Sequence, residues 1–420
     1  MYDIIIIGAG ISGASFANKI SKYAKSLLIE VKKDINIKTN IFPEHNNPYI
    51  ANINFDDKEI FPCEHTKTNY LGKNVNGIIN SEEFGASLGK IVHTEILINK
   101  LITNFIDNGG TVKFDEEVKK INRGVNKVEI ITTKNTYYSK LLVLATGSRN
   151  FELQKSLGFD IPDSYSGIYT HLSGSEDIIK ENFDFNYLFH LNPNISKNGP
   201  FFFNIGKGRV STGFLGNPDE SRNELKSKLK RILENYNLIQ PYLKDLKWDQ
   251  STFIISKISK HPIKNFSQDR VLILGEAAGL VTAFFYEGFL SGLLSAEIAS
   301  ETIMELVRRE SNFSKMELNT YDQELNRILL KNYYKNGLAC EYLFYNPNPK
   351  VMNIIWDSYT KLISENKRLR KEIWEAYRLH DITDYDTNRD KWAGEQLFKK
   401  LPTISKITLG PKFIRALMKF

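Results

Sequence analysis

Asp3-Ile4-Ile5-Ile6-Ile7-Gly8-Ala9-Gly10-Ile11-Ser12-Gly13, followed by Leu27-Leu28-Ile29-Glu30, decides the reading of this chain. An apolar run enters G-x-G-x-x-G, a helix-compatible stretch follows, and a second apolar run ends on an acid. Gly8 permits the tight turn, Gly10 lets a pyrophosphate approach the backbone, and Gly13 lets the helix pack closely on the sheet. The helix start offers free N–H groups and a partial positive charge to phosphate. Glu30 stands where a carboxylate accepts hydrogen bonds from a ribose diol. The stretch predicts a dinucleotide site, with Gly8, Gly10, Ser12, Gly13 and Glu30 as its first candidate residues.

At 420 residues the chain is too long for one compact core and suggests two or three domains. Its 41% hydrophobic and 25% charged residues are ordinary for a globular protein. Cys63 and Cys340 are too few for a disulfide framework and lack metal-ligand spacing, which points to a reducing cytoplasm and no metal. No basic region precedes the first strand, so no secretory leader is expected, and no apolar stretch approaches the roughly 20 residues that span a bilayer.

The net charge of +7 is unevenly spread. After Glu395 come Lys399, Lys400, Lys406, Lys412, Arg415 and Lys419 with no acid, interleaved with Phe413, Ile414, Leu417, Met418 and Phe420. Pro411 suits the opening of a short final helix. This basic, apolar tail either lies on the inner face of an anionic membrane or packs on the protein with its lysines in water. No basic and aromatic stripe accompanies the charge, so nucleic acid is not an expected partner.

The chain from Lys32 to about Asn80 is polar and proline-bearing and reads as a surface insertion. A helical pattern runs from about Phe84 to Asn108, closed by Gly109-Gly110. Short strands follow at Thr111–Phe114, Val118–Ile121, Val128–Thr132 and Tyr137–Leu144, the last delivering Ala145-Thr146-Gly147. From Ile168 the strands become aromatic and β-branched: Ile168–Leu172, Phe185–Leu191, Phe201–Ile205 and Arg209–Phe214, with a hairpin turn at Gly206-Lys207-Gly208. A charged helix at Glu220–Glu234 and a strand at Thr252–Ile258 complete this part. The dinucleotide texture then returns as Val271-Leu272-Ile273-Leu274-Gly275-Glu276-Ala277-Ala278-Gly279, before a helix from Gly288 to about Arg309. The expected domains are thus a discontinuous one over 1–165 and 266–310, an antiparallel one over 166–265, and a helical region over 311–420.

The order of these three glycine-bearing strand ends, with an antiparallel domain between the second and third, resembles the p-hydroxybenzoate hydroxylase superfamily. Arg270 to Gly279 is similar to that superfamily's strand and G-D-A-A-G segment, with Glu276 in place of the aspartate. Within it, Tyr286-Glu287-Gly288-Phe289, Ser291-Gly292 and Ala296 resemble the geranylgeranyl reductase family, including digeranylgeranylglycerophospholipid reductases. Phe201-Phe202-Phe203-Asn204-Ile205-Gly206-Lys207-Gly208 with Gly213 looks like that family's aromatic hairpin. The resemblance covers about residues 1–305.

It implies a Rossmann-like FAD-binding α/β fold with an inserted antiparallel substrate domain, and reduction of C=C bonds in a geranylgeranyl chain of a prenyl lipid. FAD is the implied cofactor. Val118, Ala145, Thr146, Gly147, Gly275, Glu276, Gly279, Leu280, Gly288 and Phe289 join the first motif as implied cofactor residues. Phe201, Phe203, Phe285 and Tyr286 are the implied substrate residues, although alternation places Phe202 on the opposite face from Phe201 and Phe203. The helix near Gly288 would point its positive end at the flavin N1–C2=O edge. Ferredoxin or NAD(P)H is the implied electron donor.

The chain departs from the family pattern in several places. Lys38-Thr39-Asn40-Ile41-Phe42-Pro43-Glu44 lacks the family's cysteine, which leaves Cys63, with His65 or Glu64 moving a proton, as the candidate catalytic group. Lys90 or His93 stands in for the arginine over the pyrophosphate. Four alternatives remain open: an aromatic hydroxylase, a halogenase using Lys73, a lycopene cyclase-like enzyme that keeps the flavin with no net redox change, and a flavin-binding scaffold without catalysis.

Overall fold

A computed structural model describes residues 1–418 apart from 36–38, 43–55, 150, 185, 347 and 379–386. The fold is α/β. Its first sheet runs Val271–Ile273, Thr136–Leu144, Tyr2–Ile7, Ser26–Ile29 and Thr111–Lys113, each parallel to its neighbour. Ile4 to Ile7 lie in register with Leu141 to Leu144 on one side and Ser26 to Ile29 on the other. All are buried, as a strand covered on both faces must be, and this is why they read as unbroken apolar runs. The helix Ile11–Ile20 packs against helices Thr94–Asp107 and Phe289–Arg308. An antiparallel meander, Val118–Arg123 and Val128–Thr132, joins the first half of Thr136–Leu144.

The second sheet runs Ile254–Ser259, Ser164–Ser173, Arg209–Leu215, Phe201–Gly206, Asn186–His190, Lys67–Leu71 and Asn76–Asn80. It is antiparallel except where Asn186–His190 meets Lys67–Leu71. Helices Glu176–Phe183 and Arg222–Asn235 bury one face, around Phe201, Phe203, Leu225 and Leu229. A capping box between Ser221 and Glu224 starts the second of these helices where the sequence signals it.

Two sequence expectations are corrected here. The stretch 32–80 is not simply a surface loop. Lys67–Leu71 and Asn76–Asn80 extend the second sheet, and Thr39–Phe42 and Cys63–His65 flank Gly89–His93 in a small third sheet. Lys67–Leu71 and Asn76–Asn80 form a local hairpin, but the strand that ties this hairpin into the sheet, Asn186–His190, lies more than a hundred residues away. The helix expected from Phe84 begins only at Thr94, because Gly89–His93, with its β-branched Ile91-Val92, is a strand.

The C-terminal region is helical. Pro349–Glu365 packs on the strand Asn76–Asn80, and the Trp356 indole N–H donates to the Leu71 carbonyl at 2.7 Å. No helix among the described residues is long and apolar enough to cross a membrane.

Candidate active site

A cavity of about 740 Å³ runs from the first glycine turn to one face of the second sheet. That size is ordinary for a small-molecule site. At its first end lie Gly8, Ala9, Gly10, Ile11, Ser12 and Glu30. Gly8 has φ +102°, and a Cβ there would collide with the Ala145 carbonyl; a Cβ on Gly13 would collide with the Gly8 carbonyl. At Gly10, by contrast, a Cβ would meet nothing within 4 Å. The open space sits at the N-cap of helix Ile11–Ile20, where backbone N–H groups face outward. The Glu30 carboxylate accepts the Ala9 N–H at 2.7 Å and the Lys32 N–H at 2.9 Å, which fixes it at the rim of the turn.

Val118, Ala145, Thr146 and Gly147 line the same wall, with Arg149 beyond them. Lys90 and His93 do not line it. Glu276, Gly288 and Phe289 also line the cavity, and the Glu276 carboxylate accepts the Ser259 N–H at 3.2 Å. Gly275, Gly279 and Leu280 lie behind the wall. A Cβ on Gly275 would strike the Ser12 hydroxyl, one on Gly279 the His261 carbonyl, and Leu280 is fully buried. These three, like Gly13, hold the wall together by packing.

The start of helix Phe289–Arg308 differs from expectation. The Glu287 carboxylate accepts the Phe289 N–H at 2.7 Å and the Leu290 N–H at 3.4 Å. The partial positive charge expected to face a ligand is therefore already met by the chain's own carboxylate. A hydrogen-bonding side chain one residue before the N-cap glycine was a signal available in the sequence.

The second sheet supplies the far wall. Tyr187, Phe189, Phe202, Asn204, Ser211, Tyr169, His171, Ile254, Ser256 and Ile258 all line the cavity. Across adjacent strands Asn204, Ser211 and His171 are in register, and the Ser211 hydroxyl lies 3.0 Å from His171 Nδ1. Two residues along, Phe202 pairs with Gly213, where a Cβ would collide with the Ile168 carbonyl and with Tyr169, so only glycine fits there. The Tyr187 hydroxyl and Asn204 Oδ1 are buried without a hydrogen-bond partner. Such groups are costly unless a ligand or water satisfies them. Phe285 and Tyr286 line the cavity as expected, and the Tyr286 hydroxyl donates to Glu341 at 2.6 Å.

Phe201 and Phe203 are corrected. Both are fully buried on the opposite face of the sheet, with Phe183 and Tyr242 around Phe203. The aromatic that reaches the cavity is Phe202.

Cys63 and His65 are corrected too. Neither lines the cavity. Cys63 packs against the core of the second domain, and burial, with Glu64 and Glu176 nearby, holds its thiol up at about 11, so it is not a ready thiolate. His65 is fully buried against Tyr187 and Tyr377, and burial lowers its pKa to about 3, so at ordinary pH it stays neutral and cannot act as an imidazolium acid. Lys73 is exposed on the turn after Lys67–Leu71, its backbone N–H bonded to Asp357, and does not line the cavity. Pro43 and Glu44 lie outside the described residues.

No protein-family model matches the chain, and no curated protein matches it. Solved structures do. A geranylgeranyl bacteriochlorophyll reductase-like protein from Thermoplasma acidophilum has a TM-score of 0.73 at 19% identity, over 98% of this chain and 99% of that one. The flavin-dependent brominase Bmp2 has a TM-score of 0.69 at 15% identity, over 95% and 98%. A mutant of the halogenase PltM, in complex with FAD, has a TM-score of 0.65 at 13% identity, over 99% and 96%. The fold is therefore the one found in these flavoproteins. The resemblance drawn from the motifs is to a family that shares it.

Proposed function

We propose that the chain is an FAD-dependent oxidoreductase that reduces C=C bonds of an isoprenoid chain on a prenyl lipid. The observation that carries this reading is the continuity of one cavity, from a glycine turn suited to pyrophosphate to an aromatic sheet face. The residues present fit the cofactor. Open space at Gly10, the fixed Glu30 carboxylate and the unpartnered Tyr187 and Asn204 groups all suit a ligand with phosphate, ribose and ring polar atoms.

Bound FAD would supply hydride to the double bond. Gly8, Gly10 and Ser12 would hold the pyrophosphate, Glu30 the adenosine ribose, Val118 the adenine through its backbone, and Glu276 the ribitol. Phe189, Phe202, Phe285 and Ile258 would seat the chain and exclude water. Burial pushes the Tyr187 hydroxyl well above its usual range, so it keeps its proton and donates into the cavity. Ferredoxin or NAD(P)H is the proposed electron source.

The test is anaerobic. Flavin reduced on the enzyme should regain its oxidised absorbance on adding a geranylgeranyl lipid or alcohol, with the product gaining two hydrogens per bond by mass spectrometry. Absence of reoxidation by every prenyl compound tried would remove the proposal. A second reading, hydroxylation of a small aromatic, draws on the polar row Asn204, Ser211 and His171. It requires oxygen uptake with NADPH and a phenol.

A further inference from the structure

The helix Thr403–Leu417 buries one side and leaves an apolar stripe on the other. Leu409, Phe413 and Ala416 are buried, with Phe413 against the Phe398 ring at 5.2 Å. Yet Ile404, Ile407, Ile414 and Met418 are 80%, 79%, 61% and 78% exposed. Their spacing of three, seven and four residues places them along a single line of the helix. Scattered exposed apolar residues are unremarkable, but four in one row are not. Arg415 is exposed beside this row, Lys406 is half-exposed on the same helix, Lys399 is exposed near the end of the helix before it, Thr387–Lys400, and no acid follows Glu395.

We propose that this helix is an interfacial anchor that seats Ile404, Ile407, Ile414 and Met418 in the surface of an anionic bilayer. Charge selects the occupant. A second copy of the helix laid face to face would set two segments that carry cations and no acid after Glu395 against each other, and like charges repel. An anionic headgroup layer complements them, and the aliphatic row enters the acyl boundary beneath. The two sequence readings of this segment, packing on the protein and lying on a membrane, are then two faces of one helix. The inference does not depend on the proposed reaction.

The test is cosedimentation of the full chain with vesicles of phosphatidylglycerol and phosphatidylcholine in equal parts, and with phosphatidylcholine alone. The chain should pellet with the anionic vesicles and not with the neutral ones, less so as salt rises. The triple variant Ile404→Ser, Ile407→Ser, Ile414→Ser should lose at least tenfold in partitioning. Because these side chains are exposed, its melting temperature should stay near that of the parent, which separates lost docking from lost folding. The variant Lys399→Gln, Lys406→Gln, Arg415→Gln should weaken binding and flatten its salt dependence. Equal pelleting of parent and serine variant, no pelleting of the parent, or a charge variant that binds like the parent would overturn the proposal. So would a dimer in sedimentation velocity that the serine variant dissolves, since a second copy would then be the occupant.

Discussion

The two large sheets expose their purposes differently. In the first, strands such as Ile4–Ile7 and Leu141–Leu144 are buried on both faces, and the turns at their ends bring backbone to the cavity at Gly8, Gly10, Ala145 and Gly147, with the Glu30 carboxylate at the rim. In the second, one face is core and the other is cavity wall, so parity along a strand such as Phe201–Gly206 sends alternate side chains to one or the other. Phe202 and Asn204 face the cavity while Phe201, Phe203 and Ile205 are buried. A site made of backbone tolerates almost no change at its glycines. One made of alternate side chains separates stability from binding, residue by residue.

The sharpest way to break that comparison lies within the first turn. Gly8→Ala combines φ +102° with a collision against the Ala145 backbone, neither of which can relax cheaply. It should cost about 3 kcal/mol or more in urea unfolding and abolish flavin retention. Gly10→Ala meets open space. Its stability should change by less than about 1 kcal/mol, while flavin affinity falls at least tenfold as the new methyl enters the pyrophosphate's approach. Equal destabilisation by both would mean that the turn is structural only.

In the second sheet, Phe203→Ala should cost about 3–5 kcal/mol, since it empties a fully buried ring site. Phe202→Ala, on the cavity face, should cost about 1 kcal/mol or less and act instead on KM for the substrate. Comparable losses of stability at both positions would show that the two faces are not functionally distinct.

The smallest effect concerns pH. His65 has its pKa lowered by burial to about 3, against 6.5 when exposed. The unfolded chain therefore takes up a proton that the folded chain refuses, and stability falls as pH drops below 6.5 and continues to fall toward 3. Between pH 6.5 and 5 this one group should remove about 2 kcal/mol, at 1.4 kcal/mol per pH unit. His93, lowered to about 4 by burial and by Arg209, adds in the same direction. His65→Gln, which retains a polar group near Thr68, should flatten the dependence of urea midpoint on pH over this range. An unchanged slope would place the acid sensitivity elsewhere.

The difference between the sheets also explains what was legible. The G-x-G-x-x-G turn, Glu30, the Ala145-Thr146-Gly147 strand end and the Gly275–Gly279 segment are local signals, because each turn needs its own glycines within a few residues. The structure then separates them into wall and support: Gly10 and Glu276 line the cavity, and Gly13 and Gly279 pack behind it. Glycine spacing does not carry that distinction. The aromatic hairpin was legible as a hairpin, and its alternation as an alternation, but nothing in Phe201-Phe202-Phe203 says which parity meets solvent or ligand. That depends on where Arg222–Asn235 docks. The cavity-facing Tyr187, Ser211 and His171 sit on strands that were legible, and they were missed as site residues for that same reason of parity; Lys67–Leu71 was missed as a strand because polar residues in a short strand look like loop until a distant strand pairs with them.

By itself, then, the sequence determined the Rossmann-like sheet, its dinucleotide turn and the antiparallel insertion, because backbone sterics and buried apolar runs leave a short-range record. Only the tertiary structure decided which face of the second sheet becomes the site. It also withdrew Cys63 and His65 from that site, set Glu287 over the helix start, and turned the last helix into one with two apolar faces. Those outcomes arise from contacts between segments far apart in the chain, where burial and charge are settled by what packs against a residue rather than by its neighbours in sequence.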